Sequence, residues 1–123
     1  MTACAGVAEH LMRLTMERFS EAWARGDVET LMSLMSEAPV YKTSSGLTFE
    51  GREGVRQGFS KICQPGKPAA SPNWSFFGDK CLSYWSLELP SSDGEPRSVD
   101  GIDVISFAPD GRIRIKDAYR KLA

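Results

Sequence analysis

Residues 98–120, SVDGIDVISFAPDGRIRIKDAYR, are two alternating apolar runs around a tight turn, and the rest of the chain is placed by reference to them. At their centre Ala108-Pro109-Asp110-Gly111 is a type I turn signal, with proline at the second position and glycine free to take the left-handed angle. The three-residue loop with a glycine bulge that this favours sets Ala108 against Arg112. Counting outward with period two, Phe107 faces Ile113, Ile105 faces Ile115 and Asp103 faces Asp117. Val99, Ile105 and Phe107 then share a face with Ile113, Ile115 and Tyr119, the pattern of a sheet face covered by helices. Asp103 and Asp117 interrupt that face, with Cβ atoms expected roughly 4.5–5.5 Å apart. Two like charges so placed in a desolvated site do not both ionise easily. One carboxyl is therefore expected to hold its proton with a raised pKa, giving a general acid and base pair. The structural alternative is that either aspartate sits at a sheet rim, pairs with Arg97, Arg120 or Lys116, or is turned outward by a bulge that slips the register.

Upstream, residues 73–77, 81–89 and 97–107 read as strands joined by Gly78-Asp79 and Ser91-Ser92-Asp93-Gly94. With 112–120 they make an antiparallel meander. Residues 64–72 hold three of the seven prolines and read as a surface connection. In the front half, Val7, Leu11, Met12, Met16, Phe19 and Trp23 recur at spacings of three and four, one face of a helix over residues 7–25. His10, Arg13, Glu17, Glu21 and Arg25 take the opposite face. Gly26 is a left-handed stop and Asp27 an N-cap, so a second helix follows at once over 28–36. Residues 39–43 form a strand, Ser44-Ser45-Gly46 turns it into an extended piece ending at Phe49, and Val55, Phe59 and Ile62 mark a third helix over 51–62, weakened by Gly54 and Gly58.

The length of 123 residues is that of one domain, expected here to span 1–123. Fifteen Lys and Arg against 16 Asp and Glu leave a net charge of −1, which gives no electrostatic reason to expect nucleic acid or an anionic membrane as partner. No stretch approaches the roughly 20 apolar residues of a membrane span, and Met1 to Ala8 lacks the basic start and apolar run of a signal peptide. Cys4, Cys63 and Cys81 are far apart and lack Cys or His partners at ligand spacing, so neither a disulfide framework nor a zinc site is indicated and a reduced, cytoplasmic protein is expected; the function expected below calls for no metal and no organic cofactor.

The order helix, glycine–aspartate turn, helix, strand, short helix and long antiparallel sheet resembles the nuclear transport factor 2-like superfamily, in particular its SnoaL-like and ketosteroid isomerase-like group. The residues that carry the likeness are Phe19-Ser-Glu-Ala-Trp23-Ala-Arg-Gly26-Asp27, then Leu31 and Leu34 before Pro39-Val40-Tyr41. Gly51-Arg52-Glu53-Gly54-Val55 resembles the family's start of the third helix. Gly101-Ile102-Asp103-Val104-Ile105 with Gly111-Arg112-Ile113 resembles its closing hairpin. The resemblance implies an α+β, cone-shaped, barrel-like domain whose curved antiparallel sheet packs on N-terminal helices and encloses a pocket. Its members include ketosteroid isomerases, polyketide cyclases, limonene epoxide hydrolases, dehydratases and proteins without catalysis, so fold alone does not choose the chemistry.

Residue by residue, Asp103 matches the isomerases' protonated aspartate, whereas their helix-one tyrosine falls on Phe19 and their general-base aspartate on or beside Lys42. Tyr41 matches the epoxide hydrolases' water-positioning tyrosine, and Asp117-Ala118-Tyr119 resembles their closing Asp-Tyr-Phe. The expected function is that of a small-molecule acid/base enzyme, an isomerase, aldol-type cyclase or hydrolase/lyase, acting on a small hydrophobic carbonyl compound. Asp103 is the expected acid or base with Tyr41 and Asp117 assisting, and Phe19, Trp23, Trp74, Trp85 and Tyr119 are the expected walls. The alternative is a noncatalytic ligand-binding or dimerisation module of the same fold. Tyr84, Leu82 and Ile102, on faces that would otherwise meet water, are the expected contact of a homodimer. Lys42 is expected as a solvated strand-edge lysine, with an imine former as its alternative, and His10 as a solvated residue of the helix's polar face.

Overall fold

The structure is a computed structural model that describes residues 7–63, 73–89, 93–95 and 97–121. The connection expected over 64–72, the first half of the turn at 91–94 and the first six residues, Cys4 among them, lie outside the described residues. Three helices, α1 (Glu9–Arg25), α2 (Val28–Ser33) and α3 (Gly51–Ile62), pack on six strands. The strands are β1 (Met35–Lys42), β2 (Thr48–Glu50), β3 (Asn73–Phe77), β4 (Lys80–Leu89), β5 (Arg97–Phe107) and β6 (Ile113–Arg120). They form one sheet in the order β2-β1-β6-β5-β4-β3.

The helices form where the apolar spacing puts them. Met12, Met16, Phe19 and Ala22 of α1 are buried, and Gly26, at φ 66°, ends the helix with its N–H on the carbonyls of Ala22 and Trp23. Asp27 then caps α2, accepting from the Thr30 N–H at 3.1 Å and the Thr30 hydroxyl at 2.6 Å. α2 is shorter than expected because Met35 and Ser36 already belong to β1. Arg52 stabilises this early exit by donating to the carbonyls of Met32, Met35 and Ser36, each at 3.0 Å. In α3 a Cβ on Gly58 would lie 2.6 Å from the Phe49 ring, so the residue that weakens the helix is also the one that lets β2 pack against it.

Two expectations about the sheet need correction. It is mixed rather than wholly antiparallel, because β1 runs parallel to β6 at its middle while every other pair is antiparallel, and it stays open. The closing hairpin also departs from simple alternation. Its turn forms as expected: Ala108 N–H donates to Arg112 O at 2.7 Å, Gly111 N–H to Ala108 O at 2.9 Å, and Phe107 stands opposite Ile113. The next pair is Ser106 with Ile115, so Arg114 is an extra residue on β6. The β1–β6 register slips at the same level, between Met35 and Val40. Because side chains alternate, one inserted residue exchanges the two faces for the rest of the strand. Lys116 and Ala118 therefore point inward; Ile115, Asp117 and Tyr119 do not.

The inner face carries the core. Met12, Met16, Phe19, Leu31, Met32, Met35, Tyr41, Val55, Phe59, Cys81, Ile105, Phe107 and Ile113 form one buried cluster. One inward row runs across all six strands as Phe49, Tyr41, Lys116, Ile105, Cys81 and Phe76, and the next as Ala118, Asp103, Ser83 and Trp74. None of the helices among the described residues is long and apolar enough to cross a membrane.

Candidate active site on the inner sheet face

Asp103 is the inward polar residue of β5, and its partner is not Asp117 but Lys116. The Lys116 ammonium donates to Asp103 Oδ2 at 2.9 Å, with side-chain exposures of 6% and 16%. The other carboxylate oxygen, Oδ1, accepts the Trp85 indole N–H at 3.1 Å. A cation on one oxygen and an N–H on the other is the hydrogen-bond set of an ionised carboxylate.

Trp85 reaches Asp103 because its strand neighbour is glycine. A Cβ on Gly101, directly opposite Trp85, would lie 2.1 Å from the indole Cζ2, so the ring crosses β5 in space that any other residue would fill. Around the ammonium stand two π faces, Trp23 with its ring centroid at 5.0 Å and Tyr41 at 5.1 Å. Phe59 supports both, at 5.9 Å from Trp23 and 5.1 Å from Tyr41, and Phe19 stacks on Trp23 at 5.8 Å. The Cys63 thiol donates to the Trp23 carbonyl at 3.3 Å.

This enclosure shifts its titratable groups. Burial pulls the Lys116 ammonium downward, but Asp103, Tyr41 and Cys63 favour the charged form and together hold it above the usual lysine value. Tyr41 is 2% exposed, and burial raises its phenol, with Lys116 opposing and Asp103 and Cys63 adding to the rise. Burial likewise raises the Cys63 thiol against the pull of Lys116.

Four donor hydrogens here, one on Tyr41, one on Trp74 and two on Lys116, have no acceptor among the described residues. Tyr41 makes no side-chain hydrogen bond among the described residues. The Trp74 Nε1, in the row of Asp103, is fully buried without an acceptor. Lys116 carries three N–H groups and makes one hydrogen bond. Trp23, Trp74 and Trp85 are half-buried although the helices cover their face.

Of the residues singled out in the sequence, the structure brings together Asp103, Tyr41, Phe19, Trp23 and Trp85, with Trp74 two strands away from Asp103 in the same row. It does not bring in Asp117 or Tyr119, and the expected Asp103–Asp117 pair with its shared proton is not formed. Asp103 stands opposite Ala118, while Tyr119 is 55% exposed and donates to Asp117 Oδ2 at 2.9 Å on the other side of the sheet. The bulge at Arg114 is the cause. Lys42 and His10 are exposed, as expected. Lys116 was legible only as one of three cations available to a buried Asp103, because plain alternation points it outward; Gly101 carried no signal for its role. Among the described residues no group of three or more His, Cys, Asp or Glu side chains could hold a metal ion.

The outer face has a groove of about 530 Å³ lined by Tyr84, Ser86, Asp100, Ile102 and Tyr119, with Tyr84 50% exposed. Trp85 and Gly101 line it as well.

A family profile described as a SnoaL-like domain matches residues 16–115. Among solved structures, the chain is similar to an NTF2-like protein of unknown function from Mesorhizobium loti, at 26% identity and TM-score 0.70, covering 92% of this chain and 93% of that one. It is similar to the epoxide hydrolase/cyclase-like enzyme SalBIII of pyran ring formation in the polyether salinomycin, at 16% identity and TM-score 0.76, covering 93% of both. A protein from Xanthomonas campestris pv. campestris, provisionally assigned as a polyketide cyclase, aligns at 14% identity and TM-score 0.73 over 89% of this chain and 90% of that one. Among proteins of curated function, none matches.

Proposed function

The chain belongs to the SnoaL-like domain family, and from that premise we propose that it is a small-molecule acid/base enzyme acting on a small hydrophobic carbonyl compound. The observation that carries the reading is the Asp103–Lys116 pair: a carboxylate and an ammonium 2.9 Å apart, nearly buried, walled by Trp23, Tyr41 and Trp85. Asp103 takes the proton from carbon next to a carbonyl, since each carboxylate oxygen keeps a lone pair beyond the hydrogen bond it accepts. The Lys116 charge and the Tyr41 hydroxyl stabilise the enolate that forms. Asp103 then returns the proton at another atom, or the enolate carbon attacks a second carbonyl of the same molecule, whose π bond opens and whose oxygen takes the proton from Asp103 as the ring closes. The similar structure assigned as a polyketide cyclase supports this class of reaction.

The test is solvent exchange. Incubated in D₂O with cyclic ketones and β-dicarbonyl compounds, the protein is expected to speed loss of the α-proton signal in NMR. Asp103→Asn is expected to slow that exchange by about 10²-fold or more. No acceleration across the panel favours the second reading, a noncatalytic binding module. That reading rests on Phe19 and Lys42: the first is buried without a hydroxyl, the second is exposed, so neither supplies the isomerase's tyrosine or base.

A cytoplasmic homodimer is part of the same proposal. Tyr84 and Tyr119, with half-buried Leu82 and Ile102, offer the outer face to a second copy. Analytical ultracentrifugation is expected to give a dimer at micromolar concentration, and a monomer would remove it.

A further inference from the structure

The inner site has donors to spare. The two unused N–H groups of Lys116 meet ring faces rather than oxygen atoms. The Tyr41 hydroxyl lacks an acceptor among the described residues, and Trp74 Nε1 is buried without one. A buried donor without a partner is costly, so leaving Trp74 Nε1 so, on the same face as a Tyr41 hydroxyl with no acceptor among the described residues, makes sense where a ligand completes them. On the acceptor side, each oxygen of Asp103 already accepts one hydrogen bond and keeps one lone pair.

We propose that the ligand of this site brings its own oxygen acceptors in anionic form, as a carboxylate or acidic enol on a flat apolar body, and that Lys116 receives them. This names the substrate class for the acid/base reading above and rests on it only for the identity of the site. Among the described residues Lys116 is the only buried cation of the inner face; Arg120, opposite Gly101, and Arg13, whose guanidinium lies 4.7 Å from the Phe76 ring, are exposed. Facing it are Asp103, Tyr41 and Cys63. An anion that touches Lys116 therefore adds a second negative partner to one buried ammonium, as a bidentate or bridging acceptor. The size follows from the sheet. Trp74 on β3 and Asp103, which the Lys116 ammonium contacts at 2.9 Å, are two strand spacings apart, roughly 10 Å, so a body of about two fused rings reaches from that ammonium toward Trp74. Trp23 and Trp85 supply its stacking surface.

The experiment measures binding alone, by tryptophan fluorescence and calorimetry at pH 7, with 2-naphthoate and its neutral isostere 2-naphthamide. The protein is expected to bind the naphthoate at least about tenfold more tightly. In Lys116→Met the preference is expected to vanish. Tyr41→Phe, which removes one unpaired oxygen from the core and leaves the ring, is expected to keep the fold and weaken naphthoate several-fold more than naphthamide. Equal affinity for the two probes overturns the proposal, and so does a preference that survives in Tyr41→Phe unchanged and in Lys116→Met. Absence of exchange catalysis with anion preference intact removes the enzymatic reading and leaves this one standing.

Discussion

Replacing Gly101 by alanine is expected to destabilise the protein through a residue on the neighbouring strand. Inside a strand, exchanging glycine for alanine ordinarily gains on the order of 0.5–1 kcal/mol by restricting the unfolded chain. Here the added Cβ would meet three atoms of the Trp85 ring at 2.1, 2.4 and 2.6 Å. Restoring ordinary carbon contact near 3.5 Å moves the ring by about 1.4 Å, enough to misalign an indole N–H that now reaches Asp103 at 3.1 Å. Overpacking costs about 1–3 kcal/mol, and a hydrogen bond to a charged group about 1.5–3 kcal/mol. Against the entropic gain, a net loss of about 2–4 kcal/mol is expected. Urea unfolding of Gly101→Ala, Trp85→Ala and the double variant measures it. With the ring already gone, the alanine at 101 is expected to cost nothing or to stabilise slightly, so the coupling energy should exceed about 2 kcal/mol. A Gly101→Ala variant as stable as the parent, or one equally destabilised in both backgrounds, refutes the argument that this glycine exists to seat Trp85.

Lys116→Met leaves Asp103 nearly buried without its cation and is expected to cost about 3–5 kcal/mol, most of it recovered when Asp103→Leu is added; thermal unfolding of the pair of variants checks this. Stability is expected to fall at alkaline pH. Burial pushes the Cys81 thiol from 9.0 up to about 12, with Arg13 and a Ser75 backbone hydrogen bond opposing and Asp103 adding. A folded pKa above the unfolded one means that stability is intact below pH 9 and lost as pH rises toward 12, on the order of 4 kcal/mol in all. Tyr41 and Lys116, also raised above 10.0 and 10.5, act in the same direction at higher pH. Cys81→Ala should remove the part of the decline that begins near pH 9 in unfolding measured at successive pH values. Arg52→Ala strips three carbonyl acceptors at the α2–β1 junction and is expected to lower stability by about 1–3 kcal/mol, read from the urea midpoint.

The elements were legible wherever local chemistry decides them. Gly26 and Asp27 marked the break between α1 and α2, the 51–62 spacing gave α3 to its ends, and the Ala108–Gly111 turn formed with the pairing its residues predict. Strand alternation put Asp103 on the inner face, and the family likeness singled out Tyr41. What escaped was set by tertiary contacts. The end of β1 next to β6 is held by Arg52 and by the Ile113 N–H on Leu34 O at 2.8 Å, contacts between segments that no window of sequence contains. They accompany the double slip of register from which Lys116 gains its inward place. Ile113-Arg114-Ile115-Lys116 alternates so regularly that it reads as two buried isoleucines and two solvated cations; in the fold Ile115 and Lys116 exchange those roles.

Arg114, an exposed residue paired with Asp79 at 3.9 Å, thereby also acts as a spacer through its backbone alone. Deleting that one residue would restore the even count, turn Asp117 and Tyr119 toward Asp103, and send Lys116 out to water. A lineage that gained or lost a single codon at this position would change a site of opposite charges into one of like charges, with no substitution at any residue that touches the ligand. Alignment by sequence would then pair residues that face opposite sides of the sheet, so relatives of this chain are better compared by which side chains meet Asp103 than by which letters stand beside them.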